Sequence, residues 1–188
     1  MHHHTHYVGR GARHWRVFYT FPRAEKKAEE RLQERRIEVL LPKCVVVRQW
    51  KDRKKKVTEP LFRNYIFACV DELERLRVLQ TQGIVRCVAF GQHLAEISEE
   101  EIEQLKIAQN DPRRLALGHW VPEIGKHVTV VEGPLRGLSG EVLEHRGQTY
   151  VIVRIHAIRQ VVKINVPSAW LRASEESNLT QHVACVAS

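Results

Sequence analysis

The stretch Pro60-Leu61-Phe62-Arg63-Asn64-Tyr65-Ile66-Phe67-Ala68-Cys69-Val70 decides the fold. It is apolar on both alternating sides. Tyr65, Phe67 and Cys69 point one way, and Ile66, Ala68 and Val70 the other. A strand that is apolar on both faces is covered on both, so the pattern predicts a strand inside a sheet. Pro60 and the Arg63-Asn64 pair break the pattern at its entrance, where the aromatics cluster. Two readings follow. The stretch is a plain buried strand, or its aromatic entrance offers apolar surface to a partner. Strand aromatics are most often core, so physics alone favours the first.

Working outward, Trp15 to Phe21 reads as a first strand, with Trp15, Val17, Tyr19 and Phe21 on one face. Ala24 to Arg36 reads as a helix with Ala24, Ala28 and Leu32 on its inner side. Ile37 to Leu41 is short and apolar. Cys44 to Trp50 is a β-branched run, Lys51 to Lys56 reads as a charged hairpin tip, and Val57 to Glu59 returns. After the central strand, Asp71 and Glu74 form a capping box. It opens a helix through Thr81 with Leu73, Leu76 and Leu79 inward. Ile84 to Phe90 is a further strand, and Ser98 with Glu101 caps a last helix carrying Ile102 and Leu105.

Asn110 to Pro122 changes character, with Asp-Pro, two arginines and Gly118, and reads as a linker. From Gly125 the period becomes two. Short strands punctuated by Gly125, Gly133, Gly137 and Gly140 suggest a small barrel closed by Trp170 and Leu171. The expected fold is therefore α+β: an antiparallel sheet flanked by helices, followed by a small all-β barrel. The expected domains are 15–109 and 123–172, joined by a linker at 110–122. Tails at 1–14, rich in histidine and open to a tag origin, and at 173–188 complete the chain.

The net charge of +8 is unevenly placed: residues 10–63 carry a surplus of +10, and the remainder from Asn64 carries −2. A one-sided basic field suits a polyanion, and equally a solubilising surface. The tip carries Lys51, Arg53, Lys54, Lys55 and Lys56 beside Trp50. Cations next to an indole suit a phosphate backbone with an unstacked base; the alternative is a mobile loop whose lysines only keep a strand edge from aggregating. The four cysteines are widely spaced, as in a reduced cytoplasmic protein. No apolar run approaches a membrane span. No nucleophile motif, phosphate loop or metal-ligand spacing stands out, so neither an enzyme nor a cofactor or metal is expected.

Gly125 to Val142 resembles a KOW motif, and the upstream motifs resemble the N-terminal domain of NusG. These are Trp15-Arg-Val-Phe-Tyr19, Glu25-Lys26-Lys27, Leu41-Pro42, Leu61-Phe62-Arg-Asn-Tyr65-Ile-Phe67 and Gly83-Ile-Val-Arg86. The resemblance implies a non-enzymatic, monomeric transcription elongation and antitermination factor whose first domain binds RNA polymerase. It places the polymerase contact at Phe62 and Tyr65, with Tyr19, Phe67, Val85 and Phe90 nearby. A second contact falls at Arg75, Arg77, Gln80 and Thr81. The barrel's implied partners are Rho and a small-subunit ribosomal protein. Where NusG has Pro-Gly before the central tyrosine, this chain has Arg63-Asn64. That departure is closer to the specialised RfaH and UpxY-type paralogues, which serve long operons such as surface-polysaccharide clusters. Lys51 to Lys56 then face upstream or non-template DNA. The rival reading is a KOW-containing RNA-binding or ribosome-associated protein. RfaH-like proteins can mask their polymerase site with a helical second domain. Here Val128, Val130, Val131, Val151, Ile152, Val153, Val161 and Val162 disfavour a helix, so strands are expected.

Overall fold

The structure, a computed structural model, describes residues 11–50, 52–118 and 125–174. The chain forms two compact units, residues 11–41 with 63–97, and residues 42–62 with 98–174.

The first unit is built on β1 (His14–Thr20), α1 (Glu25–Glu34), β2 (Glu38–Leu40), and, after the excursion into the second unit, β5 (Tyr65–Val70). α2 (Glu72–Leu79), β6 (Ile84–Cys87), β7 (Ala89–Phe90) and β8 (His93–Leu94) complete it. The antiparallel sheet has the order β2-β5-β1-β6, so Tyr65–Val70 lies inside it, as its alternation predicts, while Pro60, Leu61 and Phe62 belong to the second unit. Ile66, Ala68 and Val70 face the helices and pack with Phe18, Ala28, Leu32 and Val78. On the opposite face Trp15, Val17 and Phe67 are also buried. Burial stabilises this unit by about 1.5–3 kcal/mol for each fully buried large apolar side chain on either face.

Two expectations change here. α2 starts at Glu72 behind the Asp71 capping box, as expected, but the side that packs on the core is the one carrying Val78. Leu73 and Leu76, expected inside, are therefore exposed, while Leu79 is partly buried against the core. The expected strand from Ile84 to Phe90 is broken at Val88, whose N–H donates to the Val17 carbonyl at 2.8 Å.

The second unit starts with a hairpin of β3 (Lys43–Gln49) and β4 (Lys54–Pro60), then resumes at α3 (Glu99–Ala108). β9 (Leu115–Gly118), β10 (His127–Val130), β11 (Ser139–His145), β12 (Gln148–Ile155), β13 (Gln160–Asn165) and β14 (Leu171–Ala173) follow. These form one six-stranded antiparallel sheet, β14-β10-β11-β12-β13-β9. Strands form as expected, but among the described residues β9 and β14 do not pair with each other, so the barrel is not closed.

The linker reading at 110–122 is corrected. Pro112–Arg114 is a 3-10 turn, and Leu115–Gly118 pairs with Ile164–Val161 of β13. Residues 119–122 lie outside the described residues. Asp111 organises this turn. Its carboxylate accepts from Arg113 Nε at 2.9 Å and from Arg114 Nε at 3.0 Å. Arg114 also donates to the Asn165 carbonyl and lies over the Trp170 ring, 5.4 Å from its centroid.

The glycines expected at turns have mechanical reasons, and Gly140 lies within β11 rather than in a turn. At Gly140 a Cβ would sit 2.3 Å from the Ile152 carbonyl oxygen of the neighbouring strand. Gly133, at φ 74°, would drive one to 2.5 Å from the Trp170 ring. Gly125 and Gly137 also take left-handed φ.

Gly140→Ala is expected to destabilise the chain by about 1–3 kcal/mol through overpacking against backbone, read by urea unfolding. The hydrogen bond from Arg113, with that from Arg114, holds the Asp111 carboxyl below its ordinary value against the opposing effect of burial. A depressed folded value gives stability that is complete above the unfolded carboxyl value of about 3.9 and lost as pH falls through the folded one. Asp111→Asn is expected to flatten the acid limb of stability against pH in that window.

Candidate functional site

Two surfaces stand out, one in each unit. In the first, the left-handed Asn64 (φ 66°) turns the chain into β5. Its carbonyl accepts from Thr20 N–H at 2.8 Å, its side-chain amide donates to the Thr20 carbonyl at 3.2 Å, and its own N–H donates to the buried Glu25 carboxylate at 2.8 Å. Asparagine tolerates this backbone better than most residues. These three bonds fix the start of β5 and hence Tyr65.

Tyr65 then lies opposite Tyr19 of β1, which lies opposite Arg86 of β6. The tyrosine rings meet edge to face, with centroids 5.4 Å apart and planes at 77°. The Arg86 guanidinium sits 5.7 Å from the Tyr19 centroid. Both tyrosines are half-buried, so a guanidinium–aromatic row crosses three strands and keeps part of its surface open. Such a row presents flat apolar area with polar rims, the chemistry enriched at protein interfaces.

The other expected contact residues divide. Val85 and Phe90 are exposed, at 44% and 58%. Phe62 and Phe67 are buried, at 1% and 0%, and offer no surface to a partner. Phe62 belongs to the second unit, beside Leu61, whose N–H donates to the Pro42 carbonyl at 2.7 Å and closes the base of the excursion. The apolar surface expected at Phe62 and Tyr65 is thus corrected to Tyr19 and Tyr65, with Val85 and Phe90 the exposed residues of that set.

In the expected second contact, Arg77 and Gln80 are exposed and Arg75 is paired with Glu72. Thr81 is buried. Its hydroxyl donates to the Arg77 carbonyl at 3.0 Å and accepts from Arg35 at 3.1 Å, so it braces the end of α2 and faces no partner. Sequence reasoning missed the exposed Leu73 and Leu76 beside Arg77 and Gln80, and the place of Arg86 in the aromatic row. The bulge between Tyr19 and Thr20, which aligns Arg86, has no sequence signature here.

The second surface is the β3–β4 hairpin. The tip is tighter than expected: Trp50 N–H donates to the Arg53 carbonyl at 2.9 Å, and Lys54, Lys55 and Lys56 lie on β4 opposite Gln49, Arg48 and Val47. Lys51 lies outside the described residues. Strand alternation sends Lys54 and Lys56 to one face and Lys55 to the other, with Trp50 59% exposed. The Lys55 ammonium sits 5.9 Å from the Trp50 ring centroid. Arg48 donates through two nitrogens to Glu59, at 2.9 and 2.7 Å. Glu59 raises the Arg48 pKa through these bonds. The tip thus combines lysines with one exposed indole.

Among the described residues no three His, Cys, Asp or Glu side chains gather as a metal site, and no helix is long and apolar enough to cross a membrane. Among the described residues Cys44, Cys69 and Cys87 form no disulfide, and burial pushes the Cys87 thiol up. A double-mutant cycle on Tyr19→Ala and Tyr65→Ala, read by urea unfolding, is expected to give a coupling of about 0.5–1.5 kcal/mol.

A family model described as transcription termination factor nusG matches residues 13–106, half of the 188-residue chain. Among solved structures the chain is similar to one titled "Domain interaction in Thermotoga maritima NusG", at 17% identity and a TM-score of 0.49. The likeness covers 87% of this chain and 98% of that one. That family match runs from β1 into α3 and so takes in the first unit and the β3–β4 hairpin, and the chain belongs to the NusG family of transcription factors.

Proposed function

We propose that this chain is an elongation and antitermination factor that docks on RNA polymerase through the Tyr19–Tyr65 row and touches nucleic acid with the β3–β4 hairpin. Family membership supports polymerase as the partner, since NusG-family factors bind it. The observation that carries the reading is the half-open row of Arg86, Tyr19 and Tyr65 across the sheet. Val85 and Phe90 extend the apolar contact. The Arg63-Asn64 entrance supports a specialised role on particular long operons, as in the RfaH and UpxY-type paralogues. The open sheet of the second unit carries the KOW-like glycines and is the proposed platform for Rho or a small-subunit ribosomal protein.

At the hairpin, Trp50 stacks on an unstacked base while Lys54, Lys55 and Lys56 meet phosphates, which fits upstream or non-template DNA. The chain performs no chemistry in this reading. It acts by holding polymerase and nucleic acid in a configuration that resists pausing.

The test is retention of core polymerase by the full chain, followed by transcription through a pause. The Tyr19→Ala, Tyr65→Ala double variant is expected to lose both retention and pause suppression while keeping a cooperative unfolding transition. Unchanged retention would sink the docking surface. Changing Lys54, Lys55 and Lys56 to Gln is expected to weaken single-stranded DNA binding and to reduce its salt slope by about 2. Trp50→Ala is expected to cost about 1–3 kcal/mol of that binding.

A further inference from the structure

We propose that the basic hairpin is clamped to the C-terminal sheet, with α3 and β9 as the clamp, so that the two tumble as one body. The clamp begins at the base of the hairpin. The Gln109 side chain, at the end of α3, accepts from Lys43 N–H at 2.8 Å and donates to the Lys43 carbonyl at 3.0 Å. One carboxamide thereby satisfies both backbone groups of the first residue of β3, as a neighbouring strand would. β3 also packs against the 3-10 turn and β9.

α3 and the residue after its cap are also bonded to the C-terminal half. Glu101 accepts from His156 N–H at 2.8 Å, Gln104 accepts from Ser139 N–H at 2.7 Å, and Asn110 donates to the Pro134 carbonyl at 3.2 Å. These three partners sit on three successive parts of the C-terminal half. The turn after α3 is fastened through Arg114 to Asn165.

The chain path makes the clamp hard to open. Residues 119–124 connect β9 to β10, and both are strands of the same sheet. A swing of the sheet away from α3 therefore requires β9 to leave β13, breaking the register from Leu115↔Ile164 to Gly118↔Val161. The segment that composition marks as a hinge is itself a strand of the body it would release. The bearing of this clamp on transcription rests on the hairpin's reading as a nucleic-acid contact. Given that reading, nucleic acid gripped at Trp50 is held at a fixed distance and angle from the C-terminal sheet.

Backbone amide relaxation on the full chain tests the clamp. The amides of β3–β4 and of β10–β13 are expected to report a single rotational correlation time. In a Gln109→Ala, Leu117→Pro variant they are expected to report two, with the hairpin the faster. A Gln104→Ala, Gln109→Ala, Arg114→Ala variant provides the same comparison without a proline in the sheet. Two distinct times in the unaltered chain would overturn the proposal, as would one shared time in both variants. Anisotropy of a labelled single-stranded oligonucleotide, compared between the unaltered chain and Trp50→Ala, is read separately. No loss with Trp50→Ala would remove the nucleic-acid reading and leave the shared tumbling to stand or fall by itself.

Discussion

The antiparallel pairing of β1 with β5 is the constraint on which the first unit depends. It runs without interruption from His14↔Val70 to Tyr19↔Tyr65. Because the side-chain period in a strand is two, this register alone decides which residues meet the helices and which form the outer face. A slip of β5 by one residue would turn Tyr65 towards the helices and carry Ile66 to the outer face beside Tyr19. The register is held at one end by the three hydrogen bonds of Asn64, so one left-handed residue governs the placement of the whole aromatic row.

The parts of the fold legible in the sequence were those set locally. Alternation placed β5 inside a sheet, and both capping boxes, Asp71 with Glu74 and Ser98 with Glu101, are formed as read. What escaped was decided at a distance. Leu73 and Leu76 satisfy a helical spacing as well as Val78 does, and only the packing of Val78 on the sheet selects the buried side. Leu115–Gly118 has the composition of a linker and becomes a strand because β13 has an open edge beside it. Phe62 and Tyr65 look alike as aromatics flanking a turn, yet one is buried and the other half open. No local pattern separates them.

Electrostatics divides the basic first third of the chain into two uses. Arg31 donates to the Gln82 carbonyl at 2.8 Å, and Arg35 donates to the Arg77 carbonyl at 3.2 Å, so these cations of α1 satisfy carbonyls at and beyond the C-terminal end of α2. They are structural. The lysines of β4 face solvent from a hairpin with no core beneath its outer half. The same composition therefore serves helix termination in one place and an open cationic surface in the other, and net charge alone cannot tell them apart.

The hairpin has another consequence. Its sheet contains only β3 and β4, so each strand has an edge with no ladder partner in that sheet. Such edges are templates for pairing between molecules. Val47, 60% exposed, would strengthen such a pairing. Lys54, Lys55 and Lys56 repel their counterparts on a second copy and keep these edges from zipping together. The residues that equip the tip for an anionic partner are thus also its protection against self-assembly, and neutralising them would expose the chain to aggregation.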